Sequence, residues 1–260
     1  MTREIYKPTP EDRERIKPQP DKLKVSGDGV FTTFQGEGIT AGLPSVFLRL
    51  HYCNLTCGVP NGWLCDTGYT WDTSKREFWQ EPEDWSYNEA AIKISNAWES
   101  TFSPSKERRL VVTGGEPLLQ QKKIARLLQK LLGWKVEIET NGTVMPIPEL
   151  HTCQFNCSPK LENSGNTLQR RYKPEVLRVI NGLPKSQFKF VVTRPSDLDE
   201  IDKIIEECNL DNGKILLMPE GHTKEEVEAH LGVIREVVEV RGWRITLRNQ
   251  LIWFGPKRRT

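Results

Sequence analysis

The chain has no apolar run near the ~18 residues that a membrane-spanning helix requires, and its opening segment carries acids where a signal peptide would be apolar. A soluble, cytosolic protein is expected. Charge of one sign is also missing: 37 Lys and Arg face 35 Asp and Glu, a formal net charge of +2. No global field then draws the chain to nucleic acid or anionic lipid, and functional charge has to be local. Cysteine is scarce, 6 in 260 residues. That is too few for a disulfide scaffold, so in a reducing cytosol the cysteines are core thiols or metal ligands. Internal repeats and low-complexity arrays are absent too.

Residues 1–24 hold four prolines and twelve charged side chains without an apolar period, the pattern of an extended, mobile arm outside the fold. Residues 25–260 read as a single domain. Strand-like apolar runs lie at 45–50, 110–113, 135–139, 154–156, 188–193, 214–218 and 244–247. Helical periods occupy 88–100, 121–132, 198–208 and 224–241. Their alternation favours a parallel sheet covered by helices. Trp63, Trp71, Trp79, Trp85 and Trp98 crowd one stretch. Packing beneath a long loop is the commoner use of such residues than stacking on single-stranded nucleic acid, so no direct nucleic-acid partner is expected.

Cys53, Cys57 and Cys65 offer three thiolates on the loop after the 45–50 strand, one fewer than a closed structural zinc site or an ordinary iron-sulfur cluster uses. The missing ligand leaves a position open for a substrate or cofactor. His51 could complete a Cys3His zinc site instead, and spacing alone does not separate the two. Cys153 and Cys157 repeat the Cys-x3-Cys spacing with only His151 nearby and read as structural thiols. Cys208 falls on an apolar helix face, and His222 and His230 read as residues of a solvated, charged face.

Context adds to the cysteines. In order along the chain come Gln35-Gly36-Glu37-Gly38, Arg49, the cysteine loop ending Cys65-Asp66-Thr67, and Thr113-Gly114-Gly115-Glu116-Pro117. Glu139-Thr140-Asn141-Gly142-Thr143, Ser158-Pro159-Lys160 and Met218-Pro219-Glu220-Gly221 follow. From about Val30 to about Glu220 the chain closely resembles the 7-carboxy-7-deazaguanine synthase family of the radical S-adenosylmethionine (SAM) superfamily. One departure stands out: residues 58–64 make the second cysteine spacing five residues longer than the usual Cys-x3-Cys-x2-Cys. Gly, Pro and Asn there permit a surface excursion that returns Cys65, since loop closure grows slowly in cost with length.

The resemblance implies an open, partial parallel β/α barrel of about six core strands, with the site at the carboxyl ends of the strands. It implies a [4Fe-4S] cluster on Cys53, Cys57 and Cys65, and SAM held by Gly115, Glu116, Ser158, Pro159 and Lys160, with Glu139 and Asn141 as weaker candidates. Phe34, Gln35, Gly36, Arg49 and Thr113 fall where the family contacts its pterin, and Thr67 where it places Mg2+. Without that context, Arg49 reads as a partner for a loop carboxylate and Thr67 as a cap. The implied activity is that of a carbon-nitrogen lyase in queuosine-type biosynthesis. It contracts 6-carboxy-5,6,7,8-tetrahydropterin to 7-carboxy-7-deazaguanine with loss of ammonia, and SAM is regenerated. The implied partners are an electron-donor protein such as a flavodoxin and a second copy in a homodimer. A radical SAM activating enzyme and a zinc-stabilised binding module are the alternatives.

Overall fold

In the computed structural model, which describes residues 5–103 and 106–255, the β-branched and aromatic runs pair into one open sheet. Its strands are β1 (Lys22–Phe34), β2 (Pro44–Leu50), β3 (Glu83–Ser86), β4 (Arg109–Gly114), β5 (Lys135–Thr140), β6 (Gln154–Cys157), β7 (Ser186–Val192), β8 (Ile215–Pro219) and β9 (Arg244–Ile245). The order across the sheet is β3-β1-β2-β4-β5-β6-β7-β8-β9. Every neighbouring pair from β2 to β9 is parallel. At the other end β1 pairs antiparallel with β2 and β3. The mostly parallel sheet is what the alternating pattern favours, and its openness is what the resemblance implied. The basic end at 256–260 lies outside the described residues.

The helices are α1 (Pro10–Arg15), α2 (Arg76–Gln80), α3 (Tyr87–Thr101), α4 (Gln121–Leu128), α5 (Leu168–Arg171), α6 (Pro174–Gly182), α7 (Ser196–Cys208), α8 (Lys224–Arg241) and α9 (Asn249–Phe254). Side chains alternate across a strand, which gives the sheet two chemically different faces. In β7, Phe188, Phe190 and Val192 join the core beneath the helices, as do Leu110 and Val112 of β4. Against them pack Ile94 and Trp98 of α3, Ile124 and Leu127 of α4, Ile180 of α6, and Ile201 and Ile204 of α7. The intervening residues, Gln187, Lys189 and Val191, line a cavity on the opposite face together with Arg49, Thr113 and Glu139. A parallel sheet covered on both faces would read apolar on both; here one face is polar because it carries the site.

Three expectations need correction. The segment 1–24 is tied to the fold from Tyr6 onward, whose N–H donates to the Ser74 carbonyl at 3.0 Å. A capping box on Thr9 starts α1, Lys123 Nζ donates to the carbonyls of Gln19 and Lys22, and Tyr52 Oη donates to the Ile16 carbonyl. Its anchors are backbone carbonyls and caps, which leave no apolar period in a sequence. The helix expected over 121–132 ends at Leu128, because the chain must turn back toward β5. Gly133 takes φ +81°, Leu131 stays buried, and Leu132 is 83% exposed. Finally, β1 and β3 lie where no strand was expected, since β1 carries charges and glycines and runs through an irregularity between Val25 and Val30. Among the described residues no helix is long and apolar enough to cross a membrane.

Candidate active site

The strand ends and the loops that leave them surround a cavity of about 440 Å3. Parallel α/β sheets place their sites at the carboxyl ends of strands, where successive loops diverge. Cys53, Cys57 and Cys65 all line this cavity. After β2, Tyr52 takes φ +81°, and its carbonyl accepts the Glu116 N–H at 2.8 Å. The long excursion at 58–64 is tied down. Gly58 N–H donates to the Ser164 carbonyl at 3.0 Å, and Trp63 Nε1 donates to Asn163 Oδ1 at 3.0 Å. Gly62, at φ +115°, passes so close to this turn that a Cβ would lie 2.6 Å from the Asn163 carbonyl oxygen.

A zinc ion needs four donors within ~2.0–2.3 Å of one point. Among the described residues no group of three or more His, Cys, Asp or Glu side chains could hold a metal ion directly. His51 is fully buried between Tyr52 and Phe78, at ring-centroid distances of 4.8 and 4.7 Å, and is outside the cavity lining. Burial, then the Lys24 charge, lowers its pKa to about 3, so the ring is neutral; its place between two aromatic rings and outside the lining is what makes it a core residue rather than a fourth ligand. A four-iron cluster instead takes each thiolate at a separate corner, and three thiols around one cavity fit it without converging. Burial pushes the Cys53 thiol up to about 12, with Glu116, Cys57 and Cys65 adding to the rise. A thiolate at Cys53 needs positive compensation, which a bound cluster would supply.

Gly114 and Gly115 bring the next turn against the cysteine loop. A Cβ on Gly114 would lie 2.1 Å from the Leu50 carbonyl oxygen, and one on Gly115 would lie 2.1 Å from that of Tyr52. Both glycines line the cavity, as do Asn141, Ser158 and Lys160. Lys160 Nζ donates to Ser158 Oγ at 2.9 Å and lies 5.5 Å from the Trp63 ring centroid. Pro159 and Glu116 are outside the lining. The fully buried Glu116 accepts from Leu118 N (3.0 Å), Thr140 Oγ1 (2.9 Å) and Asn141 N (2.7 Å). Burial raises its pKa to about 7 despite these donors. The carboxylate expected to reach the SAM ammonium is instead the tie between the glycine turn and the 140–142 turn.

The pterin-side residues form one network. Phe34, Gln35, Gly36, Arg49 and Thr113 line the cavity. Glu139, expected beside SAM, accepts from Gln35 Nε2 at 3.2 Å and Thr113 Oγ1 at 2.8 Å, which places it with this group. The Arg49 guanidinium lies 5.5 Å from the Phe31 ring centroid. Thr67 Oγ1 approaches Cys65 Sγ and the Gly114 carbonyl at 3.4 Å each. It makes no side-chain cap to the turn at Gly68–Thr70, so the capping alternative is not what its hydroxyl does. Cys153 and Cys157 are buried in the core, and Tyr172 Oη lies 3.4 Å from Cys208 Sγ.

Sequence reasoning missed the ion pairs that hold this network. Glu37 pairs with Lys189, and it accepts from Gln250 Nε2 at 2.7 Å with Arg248 Nε 3.8 Å away. Arg248 also pairs with Asp66 at 2.6 Å, and Asn249 N–H donates to the Gly36 carbonyl at 3.1 Å. The available signal was Lys189, a lone charge in the apolar run of β7. His222, read as solvated, also lines the cavity.

Burial opposes ionisation of Glu37, but Lys189 and Arg248, with hydrogen bonds from Lys189 and Gln250, outweigh it and hold its pKa at about 2. A depressed carboxylate contributes stability that is complete above its unfolded value of 4.5 and is lost as pH falls toward about 2. Urea unfolding of the protein and its Glu37→Gln variant should therefore show a stability gap at neutral pH that closes across this window. A gap independent of pH would contradict the assignment.

A scan against family models matches none. Among curated proteins, the chain is 32% identical over 234 residues to the 7-carboxy-7-deazaguanine synthase of Pyrobaculum aerophilum, covering 88% of this chain and 94% of that protein. The Halobacterium salinarum protein of the same name is 31% identical over 84% of this chain and 86% of its own length. Among solved structures, QueE from Escherichia coli superposes with a TM-score of 0.64 at 24% identity, covering 87% of this chain and 93% of that one, a likeness of fold. A cysteine-lined cavity at the ends of parallel strands and two relatives matched over most of their length lead to one conclusion: the chain belongs to the 7-carboxy-7-deazaguanine synthase family.

Proposed function

We propose that the described chain, its N-terminal segment included, is one radical SAM domain that converts 6-carboxy-5,6,7,8-tetrahydropterin to 7-carboxy-7-deazaguanine with loss of ammonia. The observation that carries this reading is the single cavity shared by the three cysteines, the glycine turn and the Gln35–Thr113–Glu139 network. When bound, the [4Fe-4S] cluster and SAM supply the radical that abstracts hydrogen. Cys53, Cys57 and Cys65 would hold the cluster. Gly115, Asn141, Ser158 and Lys160 would face SAM, with Glu116 and Pro159 shaping the turns behind them.

The chain's own work is to bind, orient and exclude water. The Gln35 amide offers a donor and an acceptor to a pterin edge, and Arg49 offers a fork to its carboxylate. Half-buried Glu139, whose pKa is raised by loss of solvation, is suited to accept a ring N–H or to take up a proton. Trp63 and Trp71 line the cavity and keep water from a reactive intermediate. The Thr67 hydroxyl, which lines the cavity, would ligate a hard cation such as Mg2+. A flavodoxin-like electron donor and a homodimer complete the reading, since the reaction needs one external electron to begin.

Substrate choice tests it. A site whose buried donors are left unpaired loses about 1–3 kcal/mol per neutral group, and more for a charged one. The carboxylated tetrahydropterin should therefore turn over in the reconstituted protein, and the analogue lacking the carboxylate should be at least tenfold poorer. Arg49→Ala should erase that preference while leaving iron content unchanged. Chelation of Mg2+ should slow turnover of the wild type more than of Thr67→Ala. Equal rates with both pterins would sink the carboxylate assignment.

A further inference from the structure

The three cysteines have unequal surroundings. Asn166, just beyond the turn Glu162–Ser164, is 6% exposed and places Nδ2 3.3 Å from Cys57 Sγ. Its other end fixes the amide orientation. Oδ1 accepts the Thr56 N–H at 2.9 Å, which requires an oxygen there and turns the NH2 toward the sulfur. Nδ2 also reaches Ser164 Oγ at 3.2 Å, and the Ser164 carbonyl accepts the Gly58 N–H. Asn166 thus grips Cys57 and Thr56, and Ser164, which it also contacts, holds Gly58 on the other side. Its own carbonyl is held by Arg171 Nε at 3.2 Å, and Arg171 is buried against Glu200. By contrast, Asn141 Nδ2 lies 3.9 Å from Cys53 Sγ, and Cys65 Sγ has the Thr67 hydroxyl at 3.4 Å.

We infer that Asn166 is a positioning residue that donates its side-chain N–H to the Cys57 sulfur and thereby raises the reduction potential of the cluster. The inference rests on the cluster reading proposed above. One electron from the external donor reduces the cluster, and the added negative charge spreads onto the ligating sulfurs. An N–H aimed at one sulfur stabilises the reduced state more than the oxidised one, and burial keeps water from substituting for it. Hydrogen-bond partners of metal ligands tune the metal they never touch. The chain's unusual cysteine spacing gives this contact its place, because the turn that carries Asn166 is the same one that ties down residues 58–64.

The test is a redox titration of the anaerobically reconstituted protein, followed by electron paramagnetic resonance without SAM, for wild type, Asn166→Asp and Asn166→Leu. Asp keeps the acceptor for Thr56 and loses the donor; Leu loses both at similar volume. Both variants should lower the reduced-to-oxidised ratio at a fixed poise by about tenfold, 59 mV for one electron, with Asp shifted further by its charge. The midpoint is read from whatever cluster is bound, so partial loading does not hide it. An unchanged midpoint in both variants overturns the inference and leaves the cluster reading standing. So does complete iron loss from both variants when their apo forms melt like wild type, since Asn166 would then serve loop closure alone. If wild type itself assembles no cluster, the cluster reading fails, and this inference with it.

Discussion

Alanine at Cys53, Cys57 or Cys65 should abolish both cluster iron and ring contraction, whereas alanine at Cys153 or Cys208 should leave both intact. Three thiols line one cavity and, on the proposed reading, each would hold a separate corner of the cluster, while His51 is buried in the core and outside the lining. Cys153, Cys157 and Cys208 are buried among apolar side chains, so replacing them removes packing rather than a ligand. Cys157→Ala is the instructive control, because a Cβ on Gly142 would meet the Cys157 sulfur at 2.7 Å, a measure of how tightly this site is packed. It should lower thermal stability while retaining iron. Iron quantification and the cluster absorbance check all six variants; full iron in Cys65→Ala would mean that the long excursion does not return the third ligand.

Lys189→Met should be the most damaging change outside the cysteines. Burial disfavours the charge on Lys189, but Glu37 and Glu139 raise its pKa, and it is the cation between two carboxylates in the cavity floor. Its contribution is complete below 10.5 and lost at higher pH. Breaking a fully buried pair by removing one partner costs about 3–5 kcal/mol, because the other charge is left without compensation, and this pair is only partly buried, its side chains 19% and 17% exposed. Arg248 still faces Glu37, so the lower end of that range is expected by denaturant unfolding. The Gln35–Gly38 loop loses its anchor, and a misplacement of ~1 Å is enough to reduce kcat/KM about a hundredfold. Adding Glu37→Gln should restore part of the stability and little of the activity. Additive losses in the double variant would show that the two residues do not act as a pair.

Much of this architecture could be read from apolar runs and helical patterns, because the strands β2 and β4 to β9 and the helices α3, α7 and α8 are patterned clearly enough to declare themselves. The cysteine loop and the glycine turn were legible for a related reason: their chemistry requires particular residue types at short spacings. The packed N-terminal segment was not legible, since it is fastened by carbonyls and a capping box. Neither was the direction of Glu116. A carboxylate beside a cofactor turn reads as a ligand, and only the three donors around it reveal that it ties two turns together. Long-range pairs such as Glu37 with Lys189 and Arg248, or Asn166 with Cys57, join residues far apart in sequence. No local pattern encodes them.

Counting products in the anaerobically reconstituted enzyme with reductant, SAM and 6-carboxy-5,6,7,8-tetrahydropterin decides whether the cavity carries out ring contraction. Mass spectrometry should follow 7-carboxy-7-deazaguanine and 5′-deoxyadenosine together. Many molecules of deazaguanine should form for each SAM consumed. Stoichiometric loss of SAM to 5′-deoxyadenosine with no deazaguanine would contradict it.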